Sequence, residues 1–450
     1  MDRPNVLLVV LDSVRAANTS LLGHRNRTTP TLDRFAERAT VYRQARAPGV
    51  WSLPSHVSLF TGLEVPEHGV TIDRRLEPGQ TVFEERESEG YATGVFGSNV
   101  YITDHPVGIG DCFETVVGVP GSVPAGYEVS GEFEMGHPAG FWYAERFLEW
   151  AEGVEESGTP WAACVNVMDG HRPYLPEPAY DRWGEEDARE VQRELGRGEF
   201  VWQFYGERHP YWYLAALEGL YDGAIRQADA VLDRLLSGLE ERGAFDDTLV
   251  VVCSDHGDGL GERSFVPGEP RCIAHTLGTN EALTHVPLVV KSPGQSEGRE
   301  IDDLAALTRF PAAVEAFTDE DGAAPDADEG VFAASNGRCL TYRGEIDGPK
   351  LDAARRYCGE RYDEFVSESV AVYEDRPGRA IAKRARWGEE AVETAVYAAR
   401  AEVIEGPVEA DAVSEVLAEY SLRDIGIDRE ESEEELDPAV RAHLADIGYL

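Results

Sequence analysis

The sequence is poor in basic residues, and in lysine above all. Lys and Arg together number 41, against 84 Asp and Glu, and the formal net charge is −43. The only lysines are Lys291, Lys350 and Lys383. Unaided binding to nucleic acid or to an anionic membrane requires a basic surface, so this balance excludes both function classes.

The acidic residues are spread over the whole chain, and hydrophobic residues still make up 42% of it. A disordered chain would contain far fewer apolar residues, so we predict a folded protein with an acidic, solvated surface. The replacement of Lys by Arg beside this acidic excess resembles proteins adapted to molar salt, where charge repulsion is screened over a few ångström.

Long hydrophobic runs are also missing. No run approaches the roughly 18 apolar residues of a membrane helix, so we predict no membrane anchor. The apolar run at residues 5–11 is preceded by Asp2 and ended by Asp12, and no small-residue cleavage site follows it. We therefore interpret it as a strand rather than a signal peptide, and expect a cytoplasmic protein.

The six cysteines are far apart and form no CxxC pair. Zinc-ribbon and thiol redox motifs are therefore excluded. Cys164 and Cys253 lie inside apolar runs, which predicts buried free thiols.

Short β-rich runs alternate with helical patterns, which is typical of βαβ units and a mostly parallel sheet. A first helix opens at Thr29-Pro30, and apolar residues at a period of 3.6 predict a long helix from about Leu214 to Glu241. The predicted strands are Val6–Leu11, Ala92–Phe96, Ala162–Met168, Thr248–Cys253 and Pro287–Val290.

Three of these strands are followed by polar clusters, at residues 12–13, 169–171 and 254–257. Each cluster contains an aspartate, and two contain a histidine. Ligands of open α/β sheets bind beyond the carboxyl ends of the strands, so we expect the three clusters to face one crevice.

The pattern changes after about Ser292. Residues 319–329 are rich in Asp, Ala and Gly, as in a linker or surface loop. We predict a catalytic α/β domain over residues 1–318 and a smaller C-terminal α+β subdomain over 330–450, with an antiparallel sheet and then acidic helices. Its predicted strands are Ser367–Tyr373, Ala380–Arg386 and Thr394–Ala399.

The segment Trp51–Gly62 contains the first chemical candidate. Pro54 suits the first turn of a helix and Ser52 the position just before it. A hydroxyl there lies near the positive end of the helix dipole, where free N–H groups also favour an anionic ester. Ser52 is thus a candidate nucleophile, although a lone Ser-x-Pro is more often only a helix cap.

Asp12, Asp255 and His256 supply two carboxylates and an imidazole from two strand ends. This donor set suits Mg²⁺ or Mn²⁺, and Ca²⁺ less well. Taken alone, Asp255-His256 is more often a turn that only caps a helix.

The ordered motifs resemble those of the sulfatase family, in the alkaline-phosphatase superfamily. The resemblance is dense over residues 4–292 and sparse beyond. It is carried by PNVLLVVLDSVR at 4–15, TTPTLDRFA at 28–36, S-x-P-S-x-x-S-L-x-T-G at 52–62, HG at 68–69, MDGHRPY-x-P at 168–176, YDG-x-I at 221–225, SDHG at 254–257 and VPLVVK at 286–291.

The resemblance implies an alkaline-phosphatase-like fold, a mixed and mostly parallel sheet flanked by helices. It implies Ser52 as the nucleophile, one divalent metal ion (Mn, Mg or Ca) on Asp12, Asp255 and His256, and contact or protonation of the ester oxygens by His171 and His275. The implied substrate is a small anionic ester or glycan, such as a sulfated carbohydrate.

Two departures from the family pattern leave open which type of ester is the substrate. Sulfatases usually carry Cys or Ser matured to formylglycine with an Arg four positions later, whereas this chain has Ser52 and His56. Ser13 stands where a second metal-binding Asp is usual. The alternatives are a phosphomonoesterase or phosphodiesterase, or a phosphoalcohol transferase, using the same Ser52 and metal. A degenerate member that binds an anionic glycan without turnover is a third hypothesis.

Overall fold

The computed structural model describes residues 3–119, 139–196, 199–318, 330–346, 348–376, 380–397, 400–407, 410–420, 422–423 and 425–428. In chain order the strands are β1 (Asn5–Leu11), β2 (Thr40–Arg46), β3 (Arg74–Leu76), β4 (Ala92–Phe96), β5 (Thr115–Val117), β6 (Trp161–Val167), β7 (Thr248–Cys253), β8 (Gly259–Glu262), β9 (Cys272–Ala274), β10 (Leu288–Lys291), β11 (Arg299–Ala306), β12 (Arg338–Arg343), β13 (Ser369–Glu374), β14 (Ile381–Trp387), β15 (Glu390–Tyr397), β16 (Arg400–Pro407) and β17 (Gly426–Asp428).

Helices connect most of these strands. They are α1 (Pro30–Phe35), α2 (Ser52–Thr61), α3 (Val65–His68), α4 (Val82–Ser88), α5 (Val100–Thr103), α6 (Gly140–Glu156), α7 (Glu186–Leu195), α8 (Phe200–Tyr205), α9 (Trp212–Ala216), α10 (Glu218–Glu241), α11 (Glu281–Thr284), α12 (Phe310–Thr318), α13 (Gly348–Cys358) and α14 (Ala410–Leu417).

Eight strands form the large sheet, in the order β11-β2-β10-β7-β1-β6-β4-β5. Each neighbouring pair is parallel except the two that involve β10, which runs against the others. The predicted mixed, mostly parallel sheet is confirmed.

Helices cover both faces of this sheet, which explains why β1 is apolar throughout. Successive side chains of a strand point to opposite faces. Leu7 and Val9 accordingly pack in one core cluster, with residues of α1, α6 and α10, whereas Leu8 and Val10 pack in another, with residues of α2, α4 and α12.

The second sheet contains β12 to β16 in chain order, and every pair is antiparallel. This confirms the predicted C-terminal antiparallel sheet. It contacts the loop before α2, because Thr341 Oγ1 donates to Ala47 O at 2.6 Å and Tyr342 N to Pro48 O at 2.9 Å.

Several elements differ from the prediction. The helix expected from Leu214 breaks at Leu217 into α9 and α10. Strands β2 and β11 were not predicted, since both carry charged residues in place of an apolar alternation. β11 is an edge strand and exposes most of its charges to solvent.

Some predictions fall outside the described residues. These are the linker at 319–329 and the acidic helix after residue 428, so the domain limits stay a prediction. In the part of the chain that the structure describes, no helix combines the length and apolar character needed to cross a membrane. Cys164 and Cys253 are buried free thiols, as predicted.

Candidate active site

Four neighbouring parallel strands, β7, β1, β6 and β4, end at one edge of the large sheet. The register pairs Val10 of β1 with Cys253 of β7, so Asp12 and Asp255, each two residues further on, come out side by side. His171 follows β6 after one turn of 3₁₀-helix. The fold thus brings the predicted polar clusters into one crevice.

Ser52 is the first residue of α2 and is 1% exposed. Trp51 precedes the helix and makes no side-chain cap. The Ser52 Oγ lies 3.5 Å from Asp12 Oδ2 and 3.4 Å from His256 Nε2. Because it faces these groups rather than the backbone N–H groups of its own helix, Ser52 is more than a helix cap.

Asp12, Asp255 and His256 form a fully buried group whose ligand atoms all lie within 4.8 Å of one another. His256 Nε2 is 3.3 Å from Asp255 Oδ2 and 4.0 Å from Asp12 Oδ1. Within the described residues this is the one such group of three or more potential metal ligands.

The backbone around this group is tightly constrained. Ser13 has a φ of 62°, a left-handed conformation that is unusual for a residue other than glycine. In this conformation its N–H donates to Asp255 Oδ1 at 3.3 Å and its hydroxyl donates to Asp12 Oδ1 at 3.1 Å. Gly257 has no room for a side chain, since a Cβ would lie 2.0 Å from Ala282 O.

The two carboxylates differ in their electrostatics. Burial opposes ionisation of Asp12, but nearby imidazoles, His171 first among them, lower its pKa to about 2. Burial and the Asp12 charge together raise the pKa of Asp255. Burial favours neutral His256, yet the two carboxylates outweigh it and raise the pKa of this imidazole. Negative charge is therefore in excess here, which favours a cation.

The donor atoms fit a divalent cation. The buried Asp255 Oδ2 accepts no hydrogen bond. His256 Nδ1 lies 2.9 Å from Gly257 O, which can only accept, so Nδ1 carries a proton and Nε2 is the nitrogen that can bind a cation. One unsatisfied carboxylate oxygen and this imidazole nitrogen thus face the same space as Asp12, as a metal ligand set requires.

Two further histidines lie beside the group. The His275 ring centroid is 4.7 Å from that of His256 and 5.1 Å from that of His171. His275 Nδ1 is 3.3 Å from Asp258 Oδ1, and Tyr174 donates to the other oxygen of Asp258 at 2.5 Å. Burial lowers the pKa of His275 to about 4, so its imidazole is neutral at pH 7 before a substrate binds.

Two asparagines of the site were not predicted from the sequence. Asn99 and Asn166 donate to Asp12 Oδ2 at 2.9 and 3.1 Å. Asn166 is a polar residue inside the apolar run of β6, and Asn99 follows β4 at the same sheet edge. Both features were visible in the sequence and could have identified these residues.

The sulfatase family model matches residues 4–318. The chain belongs to the sulfatase family. The match covers the whole large sheet and every residue of the site, and the sulfatases of this family are sulfuric ester hydrolases. The predicted resemblance is confirmed.

Among curated relatives, the chain is 24% identical over 375 residues to the multifunctional alkaline phosphatase superfamily protein PehA of Trinickia caryophylli, covering 66% of this chain and 70% of that protein. It is 21% identical over 340 residues to arylsulfatase K of Bos taurus, covering 68% of this chain and 61% of that protein, less than two thirds of its length.

Among solved structures, the phosphonate monoester hydrolase of Agrobacterium radiobacter superposes with a TM-score of 0.63 and 18% identity, covering 93% of both chains. At this identity the likeness shows a shared fold. It confirms the alkaline-phosphatase-like architecture and carries no statement about the substrate.

Proposed function

We propose that this sulfatase-family protein is a metal-dependent hydrolase that cleaves sulfate esters with Ser52 as its nucleophile. The observation that carries the proposal is the position of the Ser52 hydroxyl, within 3.5 Å of both Asp12 and His256 in the buried metal-ligand group. In an ordinary helix cap the hydroxyl would bond the backbone of its own helix instead.

Asp12, Asp255 and His256 would hold one divalent cation, Mn²⁺, Mg²⁺ or Ca²⁺. Its positive charge would favour ionisation of the Ser52 hydroxyl and neutralise charge on the ester oxygens. The N-terminus of α2 adds partial positive charge at the same point. Ser52 thus lies where an attacking oxygen and an anionic ester are both stabilised.

The reaction would proceed in two displacements. The ionised Ser52 Oγ attacks sulfur and the bond from sulfur to the alcohol oxygen breaks, while a protonated imidazole gives its proton to the leaving alcohol. Water then attacks the sulfur, returns a proton to the imidazole and releases hydrogen sulfate and Ser52. An anionic ester bound beside His275 would favour the protonated form of this ring.

We propose that Ser52 acts unmodified. The hydroxyl already lies beside the cation ligands, and position 56 lacks the arginine that sulfatases with formylglycine usually carry. The mass of the peptide that contains Ser52 tests this point, because oxidation of serine to formylglycine removes two hydrogens. The unmodified mass in an active preparation is expected.

The test compares an aryl sulfate with the matching aryl phosphate and aryl phosphodiester, in molar KCl with Mn²⁺, Mg²⁺ or Ca²⁺. Sulfate turnover should fall at least roughly 10³-fold in Ser52→Ala. Ser58→Ala is the matched control, since Ser58 is a buried serine of the same helix whose Oγ makes no hydrogen bond. It should keep its turnover.

A second candidate is a phosphodiester or phosphonate monoester hydrolase with a phosphoserine intermediate at Ser52. A buried imidazole rather than a guanidinium at position 56 favours a substrate with a single negative charge, which these esters share with sulfate esters. Phosphodiester turnover that disappears in Ser52→Ala, without sulfate turnover, would select this candidate. No turnover of any of these esters, together with no bound divalent metal in equilibrium dialysis, would instead favour an anion-binding protein.

A further inference from the structure

His56 lies one helical turn after Ser52 and is completely buried. Its Nδ1 is 2.9 Å from the backbone oxygen of Ser52 and 3.6 Å from Asp255 Oδ2, and its Nε2 is 3.5 Å from Asn166 Nδ2. The imidazole therefore lies between the residue that carries the nucleophile and a strand on the opposite side of the crevice.

The partners of His56 determine its protonation. A backbone oxygen can only accept, so Nδ1 must carry a proton to bond Ser52. Asn166 Nδ2 is a donor, since it also bonds the carboxylate Asp12 Oδ2 at 3.1 Å. Nε2 must then accept from it. Both contacts are made together when Nδ1 carries hydrogen and Nε2 is the acceptor.

Asn166 links this imidazole to the metal-ligand group. One of its N–H groups faces Asp12 and the other faces His56. Asn99 donates to the same oxygen of Asp12 at 2.9 Å. With Oδ2 held by two amides, the rotation of the Asp12 carboxylate is fixed, and its Oδ1 is the oxygen nearer His256 Nε2.

We infer that His56 is a positioning residue: through its Nδ1–H, and together with Asn166, it fixes the first turn of α2 against Asp12. The inference rests on the proposed role of Ser52 as nucleophile and deepens it. The distance between the attacking oxygen and the cation ligands is then set by a chain of hydrogen bonds from Ser52 O through His56 and Asn166 to Asp12.

A buried histidine elsewhere in the chain shows what a purely structural role looks like. His285 Nε2 lies 2.9 Å from Arg43 O, and the side chain is buried outside the catalytic crevice. It shares with His56 a single bond to a backbone oxygen, but it has no link to Ser52 or Asp12. His285→Phe is therefore the matched control for His56→Phe.

The first experiment is ¹⁵N NMR of histidine-labelled protein without metal or substrate, with His56 assigned by the signal that His56→Asn removes. We expect hydrogen on Nδ1 and a lone pair on Nε2. Hydrogen on Nε2, with Nδ1 left as the acceptor, would overturn the inference. This measurement does not depend on turnover. The role of His56 can therefore be refuted while the proposed function holds, and the proposed function can be refuted while the role of His56 holds.

The second experiment measures metal dissociation constants by calorimetry together with kcat and KM. Loss of a group that orients a metal ligand typically costs roughly 10–100-fold in affinity or activity. We expect a loss of that size in metal affinity or kcat for His56→Phe, with KM within about threefold because His56 does not touch the ester. The control His285→Phe should leave both unchanged.

His56→Asn keeps a side-chain N–H that can reach Ser52 O, so it should restore most of what His56→Phe loses. Equal losses in the Asn and Phe variants would overturn the positioning role, as would wild-type kcat and metal affinity in His56→Phe. If His56→Phe does not fold, the NMR result and the Asn variant decide the question.

Discussion

Two clusters of buried charge lie on the two sides of the loop before α2. The open cluster, Asp12, Asp255 and His256, combines two carboxylates with one imidazole. In the closed cluster, Glu281 is 3.2 Å from Arg46 and 2.9 Å from Lys383, and Tyr373 donates to it at 2.8 Å. Arg46 comes from β2, and Tyr373 and Lys383 from the second sheet.

The same type of side chain behaves differently in the two clusters. Burial would raise the pKa of Glu281, but Lys383 and Arg46 lower it to about 2. The pKa of Asp255 is raised by burial and by a second carboxylate. In the closed cluster the carboxylate is paired with both cations, and these pairs join the two sheets. The open cluster leaves negative charge for a cation to neutralise, which is the property of a site.

The largest expected effect tests this difference directly. Asp255→Asn should abolish tight binding of Mn²⁺ or Mg²⁺ and, with it, turnover. The loss should exceed the roughly 10–100-fold cost of changing an outer group. In EDTA the same variant should melt at the wild-type temperature or above it, because it relieves repulsion between buried carboxylates. Calorimetry gives the affinity, and melting in EDTA gives the stability.

Asp302→Asn makes the same charge change on an exposed side chain, 87% accessible, and serves as its control. A clear drop in the melting temperature of metal-free Asp255→Asn would contradict the comparison. Asp255 would then stabilise the fold as Glu281 does.

The closed cluster should respond in the opposite way. Glu281→Gln leaves Arg46 and Lys383 without their counter-charge, so the free energy of unfolding should fall by about 3 kcal/mol. Metal affinity should not change. Denaturant unfolding and calorimetry measure the two quantities, with Glu300→Gln, a 65% exposed glutamate, as the control. Weakened metal binding without loss of stability would reverse the assignment of the two clusters.

Salt separates the buried charges from the acidic surface. Screening shortens the reach of exposed charges from roughly 10 Å at 0.1 M salt to roughly 3 Å at 1 M. The melting temperature should therefore rise with KCl, because the net charge of −43 repels itself at low salt. The loss of unfolding free energy caused by Glu281→Gln should change little with the KCl concentration. A melting temperature independent of KCl would contradict the predicted halophilic surface.

The smallest effect concerns pH beside the closed cluster. Burial, with Arg46, lowers the pKa of His285 to about 3. Below pH 6.5 this ring binds a proton in the unfolded chain but not in the folded protein. The free energy of unfolding therefore decreases as the pH falls. As the pH falls from 6 to 5, the free energy of unfolding of His285→Phe should rise relative to that of the wild type by about 1 kcal/mol per pH unit. Unfolding curves at three pH values measure this gain, and a constant difference would refute it.

The strand ends were predictable because they are local. The apolar runs of β1, β6 and β7 each stop at a polar cluster, and parallel strands place such clusters at one edge. Asp12, Asp255, His256 and His171 could therefore be proposed from the sequence. His275 came only from the family resemblance, because it follows the short strand β9, which the apolar pattern does not reveal.

The sequence by itself determined the central strands of the large sheet, the acidic composition and the identity of the metal-ligand candidates, since these depend on apolar periodicity, residue counts and motif order. Only the tertiary structure decided which buried charges are paired within their cluster and which are open. It also decided that Asn166, His56 and Asn99 hold Ser52 and Asp12. Hydrogen-bond partners far apart in the chain are set by strand register and helix placement, which no local pattern encodes.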